Sequence, residues 1–265
     1  MPHPIFNAEV RVVASFPTWL ILVAMEIEEQ AILSRLPDRR IIAVNSRLGV
    51  LVAAATFGAH SIVVARSGVG LVYAGLHTAL IACHYPIHVV LSLGVAGSLR
   101  PELEIGDLVI AEQVLQHDAI CSTPEGEELM APGQLHVSLP KDQRPPPPFI
   151  PDATLRQAIC DGLKRQPGRS LYSGTLLSGS EFCADPARKI ALARKHPGAL
   201  AIDMETAGVA QIAQKLALPF LAIKSIADRV NPRSSIAQDY LASQQRAAEN
   251  AACIVDWLID SFMGK

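Results

Sequence analysis

Three apolar runs in this chain end on acids. One, Leu22-Val23-Ala24-Met25-Glu26-Ile27-Glu28-Glu29, lies near the start; two more, Ala201-Ile202-Asp203-Met204-Glu205-Thr206-Ala207 and Phe220-Leu221-Ala222-Ile223-Lys224-Ser225-Ile226-Ala227-Asp228, lie near the end. Each reads as a buried strand up to its acid. A carboxylate that leaves such a strand stands at the rim of a sheet, where open α/β folds bind small molecules. Acids delivered from three separate segments point to general acid–base chemistry on a small polar substrate.

Those acids need a scaffold, and the pattern around them is alternating. Trp19–Ala24 reads as a strand and Glu26–Arg35 as the helix after it. Arg47–Thr56 and His60–Ala65 read as two strands joined at Phe57-Gly58. Ser67-Gly68-Val69-Gly70 is a tight loop, and Leu71–His84 a helix that Pro86 stops. Val89–Leu93 is an apolar strand that ends at Gly94, and Asp107–Ala111 another strand. Ala153–Lys164 is a helix, Leu171–Ser178 a strand, and Asp185-Pro186 opens a helix to Arg194. A helical stripe over Tyr240–Phe262 closes the chain.

Strands alternating with helices predict an α/β fold, a three-layer αβα domain; the hairpin-like pieces make its central sheet mixed. Residues 1–18 read as a loose arm and 19–265 as a single domain. The stretch 121–151 reads as a long loop, with a proline-rich insertion near 139–151 around Pro145-Pro146-Pro147-Pro148.

Composition narrows the function. The chain has 265 residues, half of them hydrophobic, and a net charge of −2. A sizeable core is affordable, and no basic tract invites nucleic acid. The five cysteines are scattered and odd in number, as in a reduced cytoplasmic protein. His84 and His88 have ligand spacing, but Pro86 lies between them, so no metal site is expected. No leader and no membrane-spanning run is read.

The segments Ala24-Met25-Glu26-Ile27-Glu28, Ser67-Gly68-Val69-Gly70, Gly94-Val95-Ala96-Gly97, Ser178-Gly179-Ser180-Glu181-Phe182, Asp203-Met204-Glu205 and Ile226-Ala227-Asp228 follow one another along the chain. In this order they resemble the nucleoside phosphorylase/nucleosidase superfamily, and within it the methylthioadenosine/S-adenosylhomocysteine nucleosidase branch. The likeness runs over roughly residues 19–262.

The resemblance implies roles. Asp228 would protonate the purine at N7, and Glu28, with Glu26 in reserve, would activate a water. Met204 and Glu205 would grip the ribose, since a carboxylate accepts bonds from two vicinal hydroxyls. Phe182 would stack on the base, and the backbone of Cys183 would read the adenine edge. Gly97 would let backbone approach the ligand, and Lys224, which stands where many members carry arginine, would also bind the substrate. Each residue also has a plain reading: Asp228 as a helix cap or a partner of Arg229, Glu28 as a first-turn acid, Met204 and Phe182 as core, Ser67–Gly70 as a simple turn and His117-Asp118 as structural. The implied activity is hydrolysis of the N-glycosidic bond of a 5′-modified adenosine, with no cofactor, a nucleoside as ligand, and a homodimer as in most relatives.

Two alternatives stay open, a phosphorylase of an unusual 5′-modified adenosine and a non-catalytic nucleoside binder. Phosphorolytic relatives carry arginine where this chain has Ser92, which favours water over phosphate. Hydrolases of the branch, however, carry hydroxyls where this chain has Val95 and Ala227.

Overall fold

The strand Thr18–Val23 (β1) is buried along its whole length. Trp19, Ile21 and Val23 join one apolar cluster, while Leu20 and Leu22 join a second. Strand side chains alternate between faces, so a strand apolar on both sides needs a layer above and a layer below. That requirement sets the architecture. The computed structural model describes residues 17–124, 126–133, 139–140, 143–144, 148–164, 170–230 and 236–263; the arm expected over residues 1–18 and part of the proline-rich stretch fall largely outside them.

After β1 come α1 (Glu26–Leu33), β2 (Arg40–Asn45), β3 (Val50–Phe57), β4 (His60–Arg66) and α2 (Leu71–His84). Next are β5 (Ile87–Ser98), β6 (Leu108–Gln116), β7 (Ile120–Thr123), β8 (Gly126–Leu129) and α3 (Ala153–Leu163). The chain continues through β9 (Leu171–Ser178), α4 (Pro186–Lys195), β10 (Ala199–Asp203), α5 (Thr206–Lys215), β11 (Phe220–Asp228) and α6 (Ile236–Leu258).

Nine strands form one mixed sheet in the order β10-β9-β6-β11-β5-β1-β4-β3-β2. Parallel pairs surround β5, and antiparallel pairs link β2–β3–β4 and β6–β11. A short antiparallel contact, Ile202↔Gly97 and Ala201↔Ser98, ties β10 back to β5, so that end of the sheet curls closed. Helices α1, α3 and α6 supply the apolar cover on one face, and α2 and α5 on the other. The three-layer arrangement and the mixed sheet are as the sequence predicts.

Helix starts follow local chemistry. The Asp152 carboxylate accepts from Leu155 N at 2.7 Å to open α3. Asp185 caps α4 through Ala187 N at 3.0 Å, with Pro186 in the first turn.

Two expectations need correction, and one strand was not expected. The strand expected over Val89–Leu93 does not end at Gly94: β5 runs on through Gly97 to Ser98. Hydrogen bonds from β11 on one side and β10 on the other keep those glycines extended. The strand β2 was absent from the sequence reading; it pairs only with β3 at the sheet edge and leaves Ile41 61% exposed, so it carries no burial alternation. The stretch after residue 120 is not all loop, because β7 and β8 form an antiparallel ribbon. Its side chains are exposed or half-buried, which removes the apolar period a reader looks for. Beyond it the chain returns at Phe149, buried and bridged to Val114 through N–O contacts of 2.8 and 2.9 Å.

Ile21 is fully buried in the cluster shared by β1, α1 and α6. Ile21→Ala is expected to lower stability by about 2–5 kcal/mol in urea unfolding, the range for a large-to-small change in a packed core.

Candidate active site

The first acid arrives off β1. The chain leaves the strand at Val23, Met25 takes the N-cap of α1, and Glu28 turns back over the helix start. Glu28 Oε2 accepts from Ala24 N and Met25 N, both at 2.8 Å, and Oε1 accepts from Val95 N at 2.8 Å. A carboxylate offers about four acceptor directions, so three amides leave room for one more donor. Burial raises the Glu28 carboxyl above its usual range, against the downward pull of Lys224 and of those amides. Its neighbours behave differently: Glu26 and Glu29 pair with Arg66 at 3.4 and 3.1 Å on the surface. Glu28, not Glu26, is the buried acid of this segment.

Gly94 makes that placement possible. Its φ is +142°, and a Cβ there would lie 2.4 Å from Glu28 Oε1. Only glycine meets both conditions.

The second group comes off β10. Asp203 is buried against Lys224, with Nζ–Oδ2 at 3.0 Å, and takes bonds from Thr206 N and the Thr206 hydroxyl. Glu205 Oε1 accepts from Gly70 N at 2.9 Å, so the Ser67–Gly70 turn is already occupied by a carboxylate of the chain itself. Burial, reinforced by Asp203, lifts the Glu205 carboxyl to about 7 against Lys224 and the Gly70 amide. Burial pulls the Lys224 ammonium down, but Asp203, Glu205 and Glu28 outweigh it and push it up, so it stays charged.

Asp228 ends β11, 3% exposed. Its Oδ2 meets the ammonium of Lys189 at 2.7 Å, and Lys189 is itself fully buried. The bland expectation of a partner in Arg229 is not what is found; Arg229 reaches Glu104 at 3.4 Å. A Cβ on Gly97 would come within 2.6 Å of Asp228 Oδ1, so this glycine opens the space the carboxylate fills.

One cavity of about 180 Å³ gathers these groups: Glu28, Gly97, Phe182, Cys183, Met204, Glu205 and Asp228 all line it. Lys224 does not. It lies behind the wall, tied to Asp203, because three buried carboxyls on that side claim the ammonium. Phe182 is 56% exposed at the rim. The Cys183 thiol is pushed up to about 11 by burial and by Glu181, so it is not a thiolate at neutral pH. Among the described residues no group of His, Cys, Asp and Glu is placed to hold a metal ion.

Sequence reasoning missed Lys189 and undervalued Asp203. Lys189 is one of several basic residues in α4, and only its depth distinguishes it. Asp203 belongs to the Asp203-Met204-Glu205 segment, whose sequence does not disclose its pairing with Lys224.

A twisted αβα sheet with carboxyls converging at its rim defines a class of small-molecule enzyme, and comparison supplies its family. The profile of the phosphorylase superfamily matches residues 18–260, and the chain belongs to that family. Within it the likeness is to nucleosidases. The 5′-methylthioadenosine/S-adenosylhomocysteine nucleosidase of Tolumonas auensis is 30% identical over 197 residues, 74% of this chain and 80% of that protein. The crystal structure of the corresponding nucleosidase from Neisseria meningitidis, in complex with methylthio-immucillin-A, has a TM-score of 0.79 and 25% identity, covering 93% of this chain and all of that one. The futalosine hydrolase of Helicobacter pylori has a TM-score of 0.76, also with 25% identity, over 93% of this chain and 98% of that chain. No helix among the described residues is long and apolar enough to cross a membrane.

Gly94→Ala is expected to destabilise the fold by about 1–3 kcal/mol through backbone strain alone. Urea unfolding measures the loss, and an unchanged midpoint would contradict the positive φ at Gly94.

Proposed function

We propose that this chain hydrolyses the N-glycosidic bond of a 5′-modified adenosine of the methylthioadenosine or S-adenosylhomocysteine type and releases adenine. The observation that carries the reading is convergence: Glu28, Glu205 and Asp228, from segments far apart in sequence, line one cavity beside an aromatic ring. Phe182 stacks on the base, and the Cys183 backbone reads its edge. Glu205 accepts from the ribose hydroxyls over Met204. Asp228 passes a proton to N7 as the C1′–N9 bond breaks and its electron pair moves into the purine. A water held at the remaining acceptor direction of Glu28 adds to the cationic sugar carbon, and Glu28 takes the proton it sheds. The sum is one nucleoside and one water in, one free base and one sugar out.

Water rather than phosphate is favoured by what the nearby donors already do. Gly70 N is bonded to Glu205, the Ser92 hydroxyl lies 2.9 Å from that of Thr206, and Lys224 is bound to Asp203. Arg66 is engaged by Glu26 and Glu29. Among the described residues, a phosphate would enter a cavity lined by carboxyls whose nearby cations are already engaged. The likeness to a futalosine hydrolase supports hydrolysis equally and leaves the 5′ group to experiment.

An adenine-release assay in phosphate-free buffer, with methylthioadenosine, S-adenosylhomocysteine and 5′-deoxyadenosine as substrates, tests the proposal. Release is expected without phosphate, and an absolute need for phosphate would replace hydrolysis by phosphorolysis. Asp228→Asn is expected to cut release by ~10²–10⁴-fold, the usual worth of a positioned acid, and to leave nucleoside binding largely intact. Full activity in that variant would end the acid assignment.

Glu205 gives the pH dependence. With its carboxyl raised to about 7, it gains a proton as pH falls below that value and loses an acceptor for the ribose diol. Affinity for an uncleaved adenosine analogue is therefore expected to weaken below about pH 7, by up to about tenfold per pH unit. Glu205→Gln binds more weakly with a flatter profile. Titration calorimetry across the range reads both, and a wild-type profile that is level down to about pH 5 would contradict the role.

A further inference from the structure

Lys189 has no explanation in the packing. It lies in the first turn of α4, where the helix dipole disfavours a cation, and it is fully buried. Burying an ammonium is costly unless a partner compensates, and an apolar side chain of similar volume would serve the core at least as well. Its ammonium is 2.7 Å from Asp228 Oδ2 and 3.5 Å from the Arg229 carbonyl oxygen. The pair sits over Gly97, whose missing Cβ would fall 3.1 Å from Lys189 Nζ and 2.6 Å from Asp228 Oδ1. Ala227, just before the acid, has no side-chain donor to offer. The Ser243 hydroxyl behind it bonds to the Ala227 carbonyl instead. The second buried lysine, Lys224, is held by Asp203.

We propose that Lys189 is the positioning residue of the Asp228 acid. It holds Oδ2 so that Oδ1 faces the base, and its charge stabilises the carboxylate that forms as the proton leaves. This rests on the reading of Asp228 as the proton donor to the departing base. In that step the Asp228 O–H bond breaks, an N7–H bond forms, and the C1′–N9 electron pair passes to the purine. The anion left on Asp228 faces the Lys189 ammonium, which keeps its own protons. Asp228 is reprotonated from solvent after the base departs. Lys189 touches the acid and not the substrate, so its effect follows the need for leaving-group protonation.

Two substrates that differ in that need test the idea. Methylthioadenosine requires a proton at its purine, whereas a 4-nitrophenyl riboside with the same 5′ group releases a stable anion without one. Lys189→Met is expected to lower kcat for adenine release by ~10²-fold, with KM within about threefold and 4-nitrophenolate release within about threefold of the parent. Lys189→Arg, which keeps the charge, is expected to recover at least about tenfold of the lost rate. Equal losses on both substrates would make Lys189 merely structural and overturn the proposal, as would undiminished adenine release in Lys189→Met. Should the methionine variant fail to fold, Lys189→Gln keeps a donor without the charge and carries the same comparison. Asp228→Asn run alongside separates the failures: if it stays active the acid assignment itself falls, and if it is inactive while Lys189→Met is not, only the positioning role is lost.

Discussion

The site depends on a charge constraint. Among the described residues, four buried carboxyls, Glu28, Asp203, Glu205 and Asp228, face two buried lysines, Lys189 and Lys224. Carboxylates that close in a poorly solvated place cannot all stay charged without compensation. The chain answers by division. Lys224 satisfies Asp203 and draws on Glu205 and Glu28; Lys189 serves Asp228; backbone amides finish Glu28 and Glu205. The residual strain appears in the raised carboxyls of Glu28 and Glu205. A carboxyl raised to about 7, as that of Glu205 is, exchanges a proton near neutral pH more readily than an ordinary surface acid.

The frame that permits this is the strand β5. It lies between β1 and β11 and also touches β10, so the three segments that end in acids are all hydrogen-bonded to one ruler. Val95 donates to Glu28 from that ruler, and Gly97 makes space on it for Asp228. A one-residue slip would reverse every side chain along a strand. The two apolar clusters oppose such a slip, because each inner strand commits alternate residues to opposite faces.

Much of this was readable from residues alone. The apolar runs announced β1, β10 and β11, and their terminal acids announced the rim of the sheet. The choice of Glu28 over Glu26 also agrees with the burial found, since helix geometry turns the third residue inward. What escaped was decided by tertiary contact. Gly94–Gly97 has the composition of a loop, yet its neighbours hold it in a strand. The edge strand β2 has no buried face to leave a period. Lys224 was placed on the wall by resemblance, but the competition of acids draws it behind. Lys189 was invisible because sequence gives the charge of a side chain and not its depth.

The arithmetic of that cavity also bears on selectivity. Among the described residues, the pocket is lined by carboxyls and by no ammonium, and the lysines behind it are engaged, a hostile setting for any ligand that brings negative charge at its 5′ end. A nucleoside and the corresponding nucleotide share the same base and the same ribose, so stacking and the diol grip alone would not separate them. The sign of the surrounding field does. On the proposed reading, the acids that perform the cleavage also act as a filter that disfavours phosphorylated adenosine derivatives.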